Sequence, residues 1–194
     1  MRRFLVLACL TAIAATPAVA ATQGNPADKL AKLPIDPYRY DYAKKCLKHP
    51  QKGTLALQSW LEKNAGGVSW GIMRCETLGS GKSLHSEGRA IDWHLDVHNA
   101  GDRAEANRLI KLFLAKDKAG NNHALARRMG IQELIWNCKG WFSGDGGMRP
   151  YSVCFDSKGR PRKVDDTSAH RNHIHIGLNW AGARMKTTFW VHQP

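Results

Sequence analysis

The chain has 194 residues, with 29 Lys and Arg against 16 Asp and Glu and a formal net charge of +13. That length suits one domain with a real core, and beyond residue 20 no apolar stretch approaches the ~20 residues of a membrane helix, which excludes a membrane-spanning body. The charge draws the surface to polyanions, whether nucleic acid, anionic lipid heads or the carboxylates and phosphates of a bacterial wall, without choosing among them.

Residues 1–20, MRRFLVLACLTAIAATPAVA, combine a basic start, a short apolar run and a small-x-small ending at Ala18-Val19-Ala20. This predicts a secretory signal peptide. The exported chain then begins at Ala21 and forms a single domain over residues 21–194. Losing Arg2 and Arg3 and no acid lowers its charge from +13 to +11.

Residues 21–36 are small, polar and proline-punctuated, an extended lead-in with a short helix near Asp28 to Leu33 and little function. Thr54 is placed to cap a helix carrying Leu55, Leu57, Trp60 and Leu61, with Gly66-Gly67 ending it. Val68 to Glu76 reads as a strand, and the turn TLGSGKS leads into SLHSEGRAIDWHLD, residues 83–96.

That stretch organises the chain. His85 and Asp92 are good ligand types for a borderline divalent ion such as zinc. Their separation of seven fits neither a helical face nor a strand face, so a turn must bring them together, and Gly88 tolerates the positive φ a turn asks for. From Arg89 to Asp96 the period is two, with Ala90, Asp92, His94 and Asp96 on one face and Arg89, Ile91, Trp93 and Leu95 on the other. His94, Asp96 and His98 are either neighbours of the ligands or solvated strand residues, His98 the latter.

Asp102 with Glu105 forms a capping box ahead of the apolar stripe Leu109, Ile110, Phe113 and Leu114. A short helix, Asn122 to Met129, ends at Gly130, and Ile131 to Trp136 is a buried strand. Residues 139–171 are a long loop, the expected wall of a substrate groove, with Trp141, Phe142 and Tyr151 to line it. Apart from Cys9 there are four cysteines, an even number that argues for two disulfides in an exported protein. Of the three connectivities, Cys138 with Cys154, closing a Gly-, Pro- and Ser-rich loop, and Cys46 with Cys75 are favoured. No CxxC pair suggests a thiolate zinc site.

The segment AHRNHIHIGL places His170, His173 and His175 within six residues. On a strand, His173 and His175 share a face and reach one centre. His175 is the expected third ligand, completing the three-ligand set of a catalytic zinc. His173 is then the proton carrier beside it, and Arg74 is placed to anchor a substrate carboxylate or steady an oxyanion. Amide hydrolysis is the natural use of such a centre.

Residues Ser83 to Asp92 fit the SxHxxGxAxD motif at every fixed position, and His173-Ile174-His175 fits a later HxH. In this the chain resembles the lysostaphin, D-Ala-D-Ala metallopeptidase and hedgehog-type fold group. The resemblance covers perhaps a quarter of the chain. It implies an α+β fold around a small antiparallel sheet flanked by helices, one Zn2+ on His85, Asp92 and His175, and cleavage of peptidoglycan peptides. The group's carboxypeptidases usually place an acid three residues before the last ligand, where this chain has Asn172. The histidine pattern is closer to the penicillin-insensitive murein endopeptidases, which implies a base at His173 supported by His170.

The expected partners are therefore peptidoglycan or its peptides and anionic wall polymers, and the expected location is the periplasm or outside the cell. Two other classes compete: a wall-binding module that keeps the metal without turnover, and a secreted metal-dependent nuclease. The second lacks an acidic cluster for magnesium beyond Asp92 and Asp96, so no nucleic-acid partner is expected.

Overall fold

A computed structural model describes residues 24–75, 77–78 and 81–192. The signal peptide expected at residues 1–20, and Glu76 at the end of the expected strand, lie outside the described residues.

The fold is α+β, as expected. Its sheet is antiparallel throughout and six-stranded, in the order β1 (Val68–Gly71), β4 (Ala90–His94), β8 (His173–Leu178), β5 (Ile131–Trp136), β6 (Lys139–Phe142) and β7 (Arg149–Pro150). A separate two-stranded ribbon is made by β2 (Thr77–Leu78) and β3 (Gly81–Lys82). Among the described residues five α-helices complete it: α1 (Lys52–Asn64), α2 (Ala100–Leu114), α3 (Ala124–Met129), α4 (Trp180–Ala183) and α5 (Thr188–Val191).

The three central strands divide their side chains by parity. Ile91 and Trp93 of β4, Ile174, Ile176 and Leu178 of β8, and Leu134 and Trp136 of β5 enter the core with Leu57 and Leu61 of α1, Leu109 and Phe113 of α2, and Leu125 and Met129 of α3. Each such fully buried side chain contributes roughly 1.5–3 kcal/mol. A bulge between Ile131 and Glu133 lets Ile131 join that core although its parity differs from Leu134. The other face of the sheet carries Asp92, His173, His175 and Glu133.

Several boundaries differ from the sequence reading. Helix α1 starts at Lys52 and Thr54 lies within its first turn, where its hydroxyl donates to the Gly88 carbonyl at 2.8 Å and so fastens the helix to the central motif. Helix α2 is capped by Asn99, whose side chain accepts from the N–H groups of Gly101 and Asp102, while the Asp102 carboxylate accepts from Asp96 N–H. Expected strand Val68 to Glu76 is regular only to Gly71. The long loop over 139–171 holds β6, β7 and a 3-10 turn, and Trp141 is fully buried, donating to the Asp145 carbonyl. It is core, not groove lining.

Both favoured disulfides are formed, Cys46 with Cys75 and Cys138 with Cys154. No helix among the described residues is long and apolar enough to cross a membrane. After the lead-in, residues 36–44 form a strap fixed by polar contacts. Asp41 N–H donates to Gln132 Oε1, the Asp41 carbonyl accepts from buried Arg89, the Asp41 carboxylate accepts from Trp180 N–H, and Lys44 N–H donates to Glu87.

Candidate metal centre

The stretch Ser83 to Asp92 folds as a 3-10 turn, Leu84–Glu87, running into β4. Ser83 caps the turn by accepting from His85 N–H, and Gly88 closes it at φ 65°, donating to the carbonyls of His85 and Leu84. A Cβ on Gly88 would stand 2.7 Å from Pro50 Cα and 2.8 Å from the His49 carbonyl, so both φ and space demand glycine here. The turn carries His85 back over the strand that carries Asp92.

Strands β4 and β8 pair with Asp92 opposite His175 and His94 opposite His173. The outcome is a triangle of ligand atoms, His85 Nε2, Asp92 Oδ1 and His175 Nδ1, with all three edges 3.1 Å. All three residues are buried. Ligand atoms about 2.0–2.2 Å from a tetrahedral centre stand roughly 3.3–3.6 Å apart, so a slight opening accommodates zinc.

The donor chemistry fits a cation as well. His85 Nδ1 lies 2.8 Å from the Ile72 carbonyl and His175 Nε2 lies 2.8 Å from Glu133 Oε1. Both partners can only accept, so both protons sit on the outer nitrogens and the inner ones present lone pairs. Two imidazole lone pairs and a carboxylate oxygen at this spacing repel unless a positive charge lies between them. Without a metal a proton takes that place: burial pushes the His175 pKa down, but hydrogen bonds to Asp92 and Glu133 outweigh it and raise it to about 9. Burial likewise opposes ionisation of Asp92, yet the hydrogen bond from the protonated His175 holds it well below the usual carboxylate range. A metal ion can therefore be held by His85, Asp92 and His175.

Around this triangle stand the other expected residues. His173 is buried, its Nε2 3.5 Å from Asp92 Oδ1 and its Nδ1 2.8 Å from Asn172 Oδ1. Burial lowers its pKa to about 4, so it is a neutral imidazole with the Nε2 lone pair turned to the centre. The side chain of Asn172 also donates to Thr167 Oγ1. His170, at φ 52°, stacks obliquely on His173 with ring centroids 4.7 Å apart. The His173 Nδ1 proton goes to Asn172, so Asn172 holds this ring by a hydrogen bond while His170 packs against it. Arg74 ion-pairs with Asp92 Oδ2 at 2.5 Å, its side chain 43% exposed; Arg89, on the opposite strand face, is buried against Glu87 and over the Trp180 ring. His94 stacks on Trp70 and hydrogen-bonds the Asn172 carbonyl, and His98 is exposed beside Asp166.

The centre opens into a groove of about 680 Å³ whose lining includes Arg74, Lys82, Tyr40, Tyr42, Phe142 and Tyr151. Two participants escaped the sequence reading. Glu133 is buried, accepts from His175 and from Tyr40 Oη at 2.5 Å, and is held below the ordinary range by those bonds although burial opposes it. A single acid inside the apolar strand IQELIW was a signal that could have found it. Tyr40 lies in the strap, where no local pattern marks it.

No curated protein and no solved structure matches the chain. A family model described as "VldE, C-terminal domain" matches residues 46–174, a span that includes His85, Asp92, His170 and His173. By that match, which takes in well over half of its residues, the chain belongs to the VldE C-terminal domain family.

Proposed function

We propose that the protein is an exported zinc-dependent peptidase that hydrolyses amide bonds in peptidoglycan peptides, as an endopeptidase and not a D-Ala-D-Ala carboxypeptidase. One observation carries this reading: three lone-pair atoms converge at 3.1 Å with the unprotonated Nε2 of His173 beside them, at the base of an open groove. Zinc on His85, Asp92 and His175 would supply Lewis acidity, polarising a carbonyl and lowering the pKa of a water towards about 7.

The remaining work falls to the chain. His173 accepts the proton of the attacking water at Nε2 and returns it to the leaving amine, while Asn172 keeps the Nδ1 proton and the ring's direction. Arg74 presents positive charge at the rim to a substrate carboxylate or developing oxyanion while bracing Asp92 from its outer oxygen. The motif resemblance supplies the substrate class. Asn172, where the group's carboxypeptidases carry an acid, supports the endopeptidase branch. Two disulfides suit an oxidising compartment outside the cytoplasm.

The test is incubation of the protein, freed of residues 1–20, with purified murein and separately with DNA, each with and without chelator. Soluble peptide fragments from murein alone, lost on chelation and restored by zinc, are expected. A zinc-loaded protein that binds murein without cleaving it between about pH 5 and 9 would be a wall-binding module, and cleavage of DNA would make it a nuclease.

A further inference from the structure

The strap over residues 36–44 meets the shell of the metal centre at the Tyr40 hydroxyl, and there the contact is specific. Tyr40 Oη donates to Glu133 Oε2 at 2.5 Å, and Glu133 Oε1 accepts from His175 Nε2 at 2.8 Å. Each carboxylate oxygen of Glu133 thus has its own donor, one from the strap and one from the ligand imidazole. A buried carboxylate with a single donor can rotate about its last torsion; one held at both oxygens cannot. Rotation of Glu133 would carry Oε1 away from His175 and loosen both the tautomer and the aim of Nδ1.

The strap is built to deliver that hydroxyl. On either side of Tyr40, Arg39 N–H donates to Ser143 Oγ and Asp41 is held by Gln132, Arg89 and Trp180. The Tyr40 ring packs edge-on to Tyr42 and against Phe142 in the groove wall. The strap lies before residue 46, where the family match begins.

We infer that Tyr40 is a positioning residue of the metal centre, acting through Glu133 to fix His175, and that the strap is needed for full metal affinity. The inference rests on the metal-site part of the reading above and not on the reaction or its substrate.

The experiment measures zinc affinity of the full exported chain by competition with a chromophoric chelator, with circular dichroism at the assay temperature to check the fold. Tyr40→Phe keeps the ring and removes only the donor, and should weaken zinc binding about 3- to 10-fold. Glu133→Gln should weaken it about 10- to 100-fold, the usual range for a residue supporting a ligand imidazole. The double variant should be no weaker than Glu133→Gln, because Tyr40 has no other route to His175. Tyr42→Phe, in the same strap, should leave the affinity within about twofold. An unchanged or tighter affinity for Tyr40→Phe, losses that multiply in the double variant, or an equal loss for Tyr42→Phe would each overturn the inference. Failure of the underlying reading looks different: wild-type protein binding no zinc, or His85→Ala binding it as well as wild type.

Discussion

His173 and His175 stand two positions apart on one strand, yet they turn different nitrogens to the centre: Nδ1 of His175 to the ligand triangle and Nε2 of His173 to Asp92. The two rings differ in the partner each donates to, Glu133 for His175 and Asn172 for His173, and in the proposed reaction this would separate the ligand from the base. His173→Ala should therefore keep its zinc by elemental analysis and lose about 10²–10⁴-fold in turnover, whereas His175→Ala should lose both. Asn172→Ala should also keep zinc and lower kcat on the order of 10- to 10²-fold, because the base remains but its aim does not. A Tm series with pH tests the proton that fills the metal-free triangle. The His175 pKa is raised from 6.5 to about 9 in the folded chain, so its contribution is complete below about 6.5 and fades as pH rises through 9. Metal-free protein should thus lose Tm over that window, while metal affinity should rise with pH as the competing proton leaves.

At the scale of elements, the turn at Gly88 and the pairing of β4 with β8 place the ligands. Gly88→Ala meets both a left-handed φ and backbone atoms of His49 and Pro50 under 3 Å away, a cost on the order of 1–3 kcal/mol. Denaturation midpoint and zinc content should fall together in that variant, because the strain shifts His85 against Asp92. Each disulfide adjoins a residue that lines the groove. Cys75 adjoins Arg74, and Cys154 adjoins Val153 in the wall shared with Tyr151. Titration under denaturing conditions should find no free thiol in the chain after residue 20, and two or more reactive thiols would contradict the pairing.

For the whole molecule, a metal on these ligands would join the turn that carries His85 to the two central strands β4 and β8, whose ligands Asp92 and His175 lie 83 residues apart in sequence. Binding that occurs only in the folded state stabilises by about 2.7–4.1 kcal/mol at ligand concentrations of roughly 100 to 1,000 times Kd. For a chain of this size that is on the order of 5–15 °C of Tm. Chelation should remove it, and a melting curve indifferent to chelator would argue against metal holding these elements together. The excess of Lys and Arg over Asp and Glu should make adsorption to anionic wall polymers weaken steeply with salt.

The sequence by itself determined the ligand types, the turn at Gly88, the alternation that puts His173 and His175 on one face, and the strand at Ile131 to Trp136. These are local properties, set by residue chemistry and by periods of two and 3.6. The tertiary structure decided what depends on register and on contacts between distant segments. Asp92 faces His175 because β4 and β8 pair at that register, and a slip of either strand by one residue would send its ligand into the core. Glu133, Asn172 and Tyr40 gain their roles from hydrogen bonds whose partners are set only when strands and strap pack. Trp141 went inward for the same kind of reason: β6 pairs with β5 and turns it to the core, a choice that the glycine-rich composition of its loop does not encode.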